Sequence, residues 1–266
     1  MPSTANKASV AAKGPRVRPV PAVTRSIAIL RLLGNSTTPQ TLKSISQELD
    51  MVTSTCLHIL RVLVDEGLVK VDTATKRYSL GVGMLALARS VIESNPFPTL
   101  VQPVLDRLSD TWNVTTIGVE IRGTEDLVVL ALARSRGPFG LHVDVGSRFP
   151  ALTSATGRLV AAYSNLTEAA LARQFKTAHW DEAPDLGAWK KEVDVVRRKG
   201  YSIDRGNYVS GIAIVAVPIF DGREQMTHAL VAAGMAEQLS GTKAQSLAKD
   251  LQTEADGLKQ LLAARG

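Results

Sequence analysis

The chain has 266 residues, of which 45% are hydrophobic, and a net charge of +6. That length suits two domains with ordinary globular cores, and the apolar runs are broken by charge well before the roughly 18 residues a membrane span needs. The lone Cys56 excludes an internal disulfide, the four scattered histidines suggest no metal-ligand cluster, and no cofactor is expected.

Residues 1–20 are Ala, Ser, Lys, Arg and Pro with almost no large apolar side chains, so a disordered basic arm is expected there. Its Lys7, Lys13, Arg16 and Arg18 can trail along phosphates or serve only to keep the chain in solution. Residues 1–20 show no apolar core or cleavage site for secretion, so a cytoplasmic protein is expected. A first helix follows over residues 23–33, with Ile27, Leu30 and Leu33 inward and Arg25 outward.

Residues 41–67, TLKSISQELDMVTSTCLHILRVLVDEG, carry the most informative local pattern. Thr41 can cap a short helix whose Leu42, Ile45 and Leu49 fall at helical spacing, and Asp50, Met51 and Val52 turn the chain into a second helix. Thr53 is placed to cap that helix, Leu57, Leu60 and Val64 form its buried stripe, and Gly67 stands where a left-handed C-terminal residue is wanted. Two short helices joined this tightly read as helix-turn-helix. The first turn of the second helix presents Thr53, Ser54 and Thr55, with His58 one turn on, which are hydrogen-bonding side chains of the kind a recognition helix offers to base edges. Segments 68–71 and 77–80 read as strands around the polar turn 72–76, adding a basic-tipped wing and extending the domain over 21–80.

Ser and Thr at a helix start often do nothing more than cap it, and the charge map decides between the readings. Residues 1–80 hold eleven Lys and Arg against five Asp and Glu, whereas residues 81–266 hold twenty of each. All the excess positive charge lies beside the helix-turn-helix, as phosphate binding requires. Arg25, Lys43, Lys76 and Arg77 are the candidate phosphate contacts, with surface solubility as the alternative role.

Residues 81–94 read as an apolar helix ended by Asn95-Pro96-Phe97-Pro98, a linker over 81–98. The second domain, 99–266, opens with a helix over 99–112 and strands over 114–121, 127–133 and 139–145. Helices at 154–163, capped by Thr153, 167–177 and 186–199 precede strands at 201–204, 212–220 and 227–233 and a last helix at 242–264. Strands without regular βαβ alternation indicate an α+β domain with a largely antiparallel sheet.

The order winged helix-turn-helix, linker helix, GSRFPALTSATGR and then GYSID with GIAIVAVPIFD resembles the IclR family of bacterial transcriptional regulators, from about Thr24 onward. The resemblance implies a profilin-like or GAF-like effector-binding second domain, a homodimer through the DNA-binding domains or a dimer of dimers, and an inverted-repeat operator in double-stranded DNA. It puts the start of the recognition helix on Thr53, Ser54, Thr55 and His58, although family members often carry a basic residue at the first and last of these. Ser154, Ala155, Thr156 and Gly157 coincide with the family's ligand loop. They also place backbone N–H groups at a helix N-terminus, where a carboxylate can sit, or else the small residues simply allow close packing. Asp204 matches an acidic pocket position, with capping of the Arg205-Gly206 turn as its alternative. Ile214 replaces a cysteine found in some members, and Val231 and Ala233 replace serines. Those replacements imply an aromatic or otherwise hydrophobic carboxylic acid rather than a small ketoacid such as glyoxylate or pyruvate.

Two other classes have weaker support in the sequence. A hydrolase built on Ser154 with His142 and Asp144 has no nucleophile-elbow pattern to support it. A scaffold using its winged helix for protein partners is the other alternative, and DNA affinity that collapses steeply with salt would argue against it. No enzyme activity is expected, and residue order does not decide between repression and activation.

Overall fold

The computed structural model describes residues 20–137 and 143–263. Nearly all of the expected arm at 1–20, and most of the expected strand at 139–145, lie outside the described residues. The chain divides into two compact units, one ending at Ser94 and the other beginning at Asn95.

In the first unit α1 (Pro21–Asn35) starts on a proline, which loses nothing where the first N–H has no helical partner. Its buried face is Ile29, Leu32 and Leu33, while Ile27 is 42% exposed. The expected stripe of Ile27, Leu30 and Leu33 is therefore corrected. Spacing alone allows either face, and packing against the later elements of the unit selects one.

The short strand β1 (Gln40–Thr41) leads into α2 (Leu42–Glu48), whose cap is Thr41: its Oγ1 accepts the Ser44 N–H at 3.1 Å. In α3 (Thr53–Asp65) the cap position is Val52, and Thr53 is already helical. The expected Thr53 cap is not made, and its hydroxyl lies 3.4 Å from Ser46 Oγ on α2. Cys56, Leu60 and Leu63 are the fully buried residues, with Leu57 and Val64 half-buried. Gly67 ends the turn at φ +68°, in the left-handed region that suits glycine.

Strands β2 (Val69–Val71) and β3 (Arg77–Leu80) form the wing, and β1 adds to its other side in the order β1-β3-β2, all antiparallel. Asp72 Oδ1 accepts the N–H groups of Ala74 and Thr75, which closes the turn between them. The linker α4 (Gly83–Ser94) begins against the end of α3. A Cβ on Gly81 or Gly83 would meet the Gly67 carbonyl oxygen at 2.2 or 2.7 Å, so both positions need glycine.

The second unit opens with α5 (Phe97–Trp112), two residues earlier than expected, because Asn95 Oδ1 accepts the Phe97 N–H and Pro98 is tolerated in the first turn. Then come β4 (Thr115–Arg122), β5 (Asp126–Ala133), β6 (Arg148–Pro150), α6 (Ser154–Tyr163), α7 (Glu168–Thr177), α8 (Leu186–Lys199), β7 (Ser202–Arg205), β8 (Ile212–Phe220), β9 (Met226–Met235) and α9 (Lys243–Ala263). The six strands form one sheet in the order β6-β5-β4-β9-β8-β7, antiparallel at every pairing. The strand beside β5 is β6 at 148–150, and the described end of the expected 139–145 segment leads into a turn at Asp144 to Gly146.

Alternation along β8 explains its unbroken apolar run. Ala213, Val215 and Val217 face α5 and α9, whereas Ile214 and Ala216 face α6. Helices α7 and α8 pack on the outside of α6 around Phe175, Trp189 and Val193. The class is α+β, as expected. Among the described residues no helix is long and apolar enough to cross a membrane.

Candidate functional site

Each unit carries one candidate site. In the first, Thr53, Ser54 and His58 are exposed on α3 and Thr55 is half-buried, while Cys56 and Leu60 hold the opposite face in the core. Burial pushes the Cys56 thiol up, which keeps it an inert core residue. Arg25, Lys43, Lys76 and Arg77 are all exposed. Lys76 sits at φ +55° on the wing turn, and Arg77 Nη1 donates to the Pro39 carbonyl at 3.0 Å, tying the wing to the entry of β1.

In the second unit a cavity of about 210 Å³ lies between the sheet and the start of α6. The sheet contributes Ile117, Val119, Leu127, Val129, Ile214, Val231 and Ala233, and Val143 and Phe149 extend this apolar wall. Thr153, Ser154 and Thr156 bring hydroxyls from the start of α6, and Tyr208 and Val209 close the side facing β8. The cavity is apolar along its length with one hydroxyl-rich end, and no ionisable Lys, Arg, His, Asp or Glu is among the described residues lining it.

The α6 end is locally unusual. Ser154 is a non-glycine residue at φ +62°, a conformation that costs energy and that surrounding contacts must hold. Thr153 occupies the cap position, but its hydroxyl donates to the Pro150 carbonyl instead of capping, and Ser154 Oγ accepts the Ala155 N–H at 2.5 Å. Gly157 N donates to the Thr153 carbonyl at 2.8 Å. The amides of Ser154 and Thr156 remain as first-turn donors not taken up in this way. A Cβ on Gly157 would meet the Leu152 carbonyl carbon at 2.2 Å, so this glycine lets the preceding loop lie on the helix.

Behind the cavity stands Arg158, 1% exposed. Its Nε donates to Glu192 at 2.6 Å, Nη1 to Asp204 at 3.2 Å and to the Ser154 carbonyl at 3.0 Å, and Nη2 to Asn207 at 2.9 Å. Asp204 is fully buried, and its other oxygen accepts the Asn207 N–H at 2.8 Å. One side chain therefore fastens the first turn of α6 to the loop that carries Tyr208. Burial, and then the nearby Asp181 carboxylate, push the Tyr208 phenol up, so it stays a neutral donor at ordinary pH.

Of the residues expected at an effector site, Ser154, Thr156, Ile214, Val231 and Ala233 meet around this cavity. Ala155 and Gly157 pack inside α6, and Asp204 spends its carboxylate on Arg158 and the 204–208 turn. The Ser154–His142–Asp144 grouping is not assembled among the described residues. His142 lies outside them, and Asp144 is exposed and paired with Arg134 at 2.6 Å.

The comparisons with known proteins match this architecture. A model of the IclR helix-turn-helix domain matches residues 22–73, and one of the bacterial transcriptional regulator IclR C-terminal domain matches residues 89–260. The chain belongs to the IclR family. It is an IclR-type transcriptional regulator with a DNA-binding helix-turn-helix and an effector-binding C-terminal domain, and the family and its relatives are regulators rather than enzymes. It is 27% identical over 253 residues to the HTH-type transcriptional repressor AllR of Salmonella paratyphi A, covering 90% of each chain. An IclR transcriptional regulator from Alicyclobacillus acidocaldarius superposes with a TM-score of 0.75 at 26% identity, over 91% of this chain and 99% of that one. An IclR homologue from Microbacterium hydrocarbonoxydans complexed with 4-hydroxybenzoate shares the fold, with a TM-score of 0.74 at 17% identity over 91% and 99% of the two chains.

The sequence reading does not single out Thr153 or Tyr208 as polar lining of this IclR-family cavity, most of its apolar wall, or Arg158 as the buried hub behind it. Tyr208 had a usable signal, an aromatic residue in the glycine-bounded loop GNYVSG. Arg158 ends the GSRFPALTSATGR stretch that carries the resemblance, but an arginine on an otherwise apolar helix ordinarily reads as its exposed face.

Proposed function

We propose that this regulator binds an inverted-repeat operator as a homodimer, and that a single-ring aromatic or similarly hydrophobic carboxylic acid in the 210 Å³ cavity alters that binding. The observation carrying the ligand class is the cavity itself. A cavity of about 150 Å³ lined by aliphatic and aromatic groups holds a benzene ring, and this one adds hydroxyls at a helix N-terminus for one polar group. With no Lys or Arg among the described lining residues, a carboxylate there is seated by α6 amides and the Ser154 and Thr156 hydroxyls, and Tyr208 supplies a further donor. The complex of the Microbacterium homologue with 4-hydroxybenzoate favours the same class.

In the DNA-binding unit, Ser54, Thr53, Thr55 and His58 read base edges, and Arg25, Lys43, Lys76 and Arg77 hold phosphates. Support for the homodimer comes from α4, where Leu85, Leu87 and Val91 are 69%, 58% and 63% exposed. Three large apolar side chains on one 12-residue helix suit contact with a second copy. The ligand acts by favouring one arrangement of the dimer, with a coupling of about 1 to 3 kcal/mol. Repression is the favoured output, since AllR is named a repressor.

Gel shifts of the full chain on the intergenic DNA beside its gene test this, across a salt series and with panels of aromatic acids and small ketoacids. Competitor-resistant binding changed by one aromatic acid is expected. Tighter calorimetric binding of glyoxylate or pyruvate would refute the ligand class, and a single asymmetric half-site in footprints would refute the dimer on an inverted repeat.

A further inference from the structure

A separate cleft of about 190 Å³ opens at the end of the large sheet, beside β7. It shares no lining residue with the 210 Å³ cavity. Glu192, Val196 and Lys199 of α8 form one wall, Gln245 of α9 stands on the other, and Ser202 lies between them on the strand. Because β7 is the last strand of the sheet, its outer backbone groups have no neighbouring strand to pair with.

Two features of this cleft have no internal explanation. Ser202 is 2% exposed, yet its hydroxyl has no hydrogen-bond partner. Buried hydroxyls are ordinarily satisfied, so this one, enclosed just beneath the cleft wall, keeps unused donor and acceptor capacity. Lys199 and Arg205 line the same cleft, and neither has a carboxylate partner among the described residues. Lys199 is instead held 5.9 Å over the Tyr201 ring. The single acid lining the cleft among the described residues, Glu192, is bound by Arg158 Nε at 2.6 Å, and Arg158 itself forms part of the lining. Positive charge is therefore in excess, with hydrogen-bonding groups at Ser202 and Gln245.

We propose that this cleft is a second small-molecule site, for a compact multivalent oxyanion such as a phosphate group or a polycarboxylate. Lys199 and Arg205 neutralise the charge from two sides, Ser202 fills its unmet hydrogen bond on an anion oxygen, and Gln245 donates from α9. Free phosphate and polycarboxylates share this chemistry, and the binding experiment separates them. The site stands independently of the effector assigned to the larger cavity.

Isothermal titration of inorganic phosphate and of citrate into the full chain, at fixed pH and ionic strength, is the test. Saturable binding near one per chain is expected for at least one anion, and the tighter of the two names the class. The K199A/R205A double variant is expected to lose tenfold or more. S202A is expected to weaken binding severalfold with an unchanged unfolding temperature, because it removes no existing hydrogen bond. The charge-matched R173A/K176A variant on α7, outside the cleft, is expected to leave binding intact. Absence of saturable binding by either anion, or an equal loss in the α7 control, would overturn the proposal.

Discussion

Arg158 is the residue on which the second unit's polar interior turns. Removing it leaves Asp204 buried at 0% exposure with its charge facing a void, and breaking a buried pair in this way costs about 3 to 5 kcal/mol. Urea unfolding of the Arg158→Ala chain is expected to show a loss of that size. Asp204→Asn should cost less, because Arg158 keeps Glu192, Asn207 and the Ser154 carbonyl. His228, half-buried, is the other titratable group of consequence. It stacks on Phe97 with centroids 4.1 Å apart, its Nε2 has no partner, and burial pushes its imidazole down to about 4. An unfolded histidine titrates near 6.5. Between those values the unfolded chain binds the extra proton, so stability is complete above about pH 6.5 and falls as pH drops toward 4. The loss sums to about 3 kcal/mol at 1.36 kcal/mol per unit. Thermal unfolding between pH 4 and 7 should show this slope, and His228→Phe should flatten it.

The candidate contact residues of α3 and α6 lie in their first turns, and the two turns are built differently. On α3 the core side is closed by Cys56 and Leu60, which leaves Ser54 and its neighbours facing outward. Ser54→Ala and Lys76→Ala should separate base reading from phosphate binding. The first is expected to change preference among operator variants. The second should weaken binding evenly and reduce the salt slope by about 1. A Lys76→Ala chain with an unchanged slope would remove the wing tip from the phosphate contacts. On α6 the first turn depends on Gly157. Gly157→Ala drives a methyl into the Leu152 carbonyl and forces the 150–153 loop outward. A cost of about 1 to 3 kcal/mol is expected, as for overpacking elsewhere, together with loss of acid binding by calorimetry. Full retention of ligand affinity would show that the loop does not shape the cavity.

At the scale of the whole chain, the last helix of the first unit carries the assembly prediction. Leu85, Leu87 and Val91 of α4 are exposed in a single copy, whereas Ile29, Leu60 and Val69 hold the first unit's core without them. Leu85→Glu with Leu87→Glu should leave the fold of each unit intact while lowering the molecular mass in solution, measured by sedimentation. Operator affinity should fall with it, because a monomer engages one half-site instead of two. A variant that remains dimeric would place the interface elsewhere.

Features that depend on neighbours within a few residues were readable in the order of the amino acids. The helix-turn-helix, the left-handed Gly67, the wing turn at Asp72, the basic first third and the apolar run of β8 all come from local periodicity, turn chemistry or composition. Ser154, Thr156, Ile214, Val231 and Ala233 were nameable through family resemblance, although no spacing along the chain joins them. Folding settled which face of α1 is buried, that Val52 rather than Thr53 stands at the α3 cap, and that residues 148–150 pair with β5. It also settled the partners of Asp204, since Arg158 comes from 46 residues away and only sheet and helix packing brings the two charges together. Contacts of that range leave no periodic trace, because each residue's neighbours are chosen by the layers that close over it and not by its place in the chain.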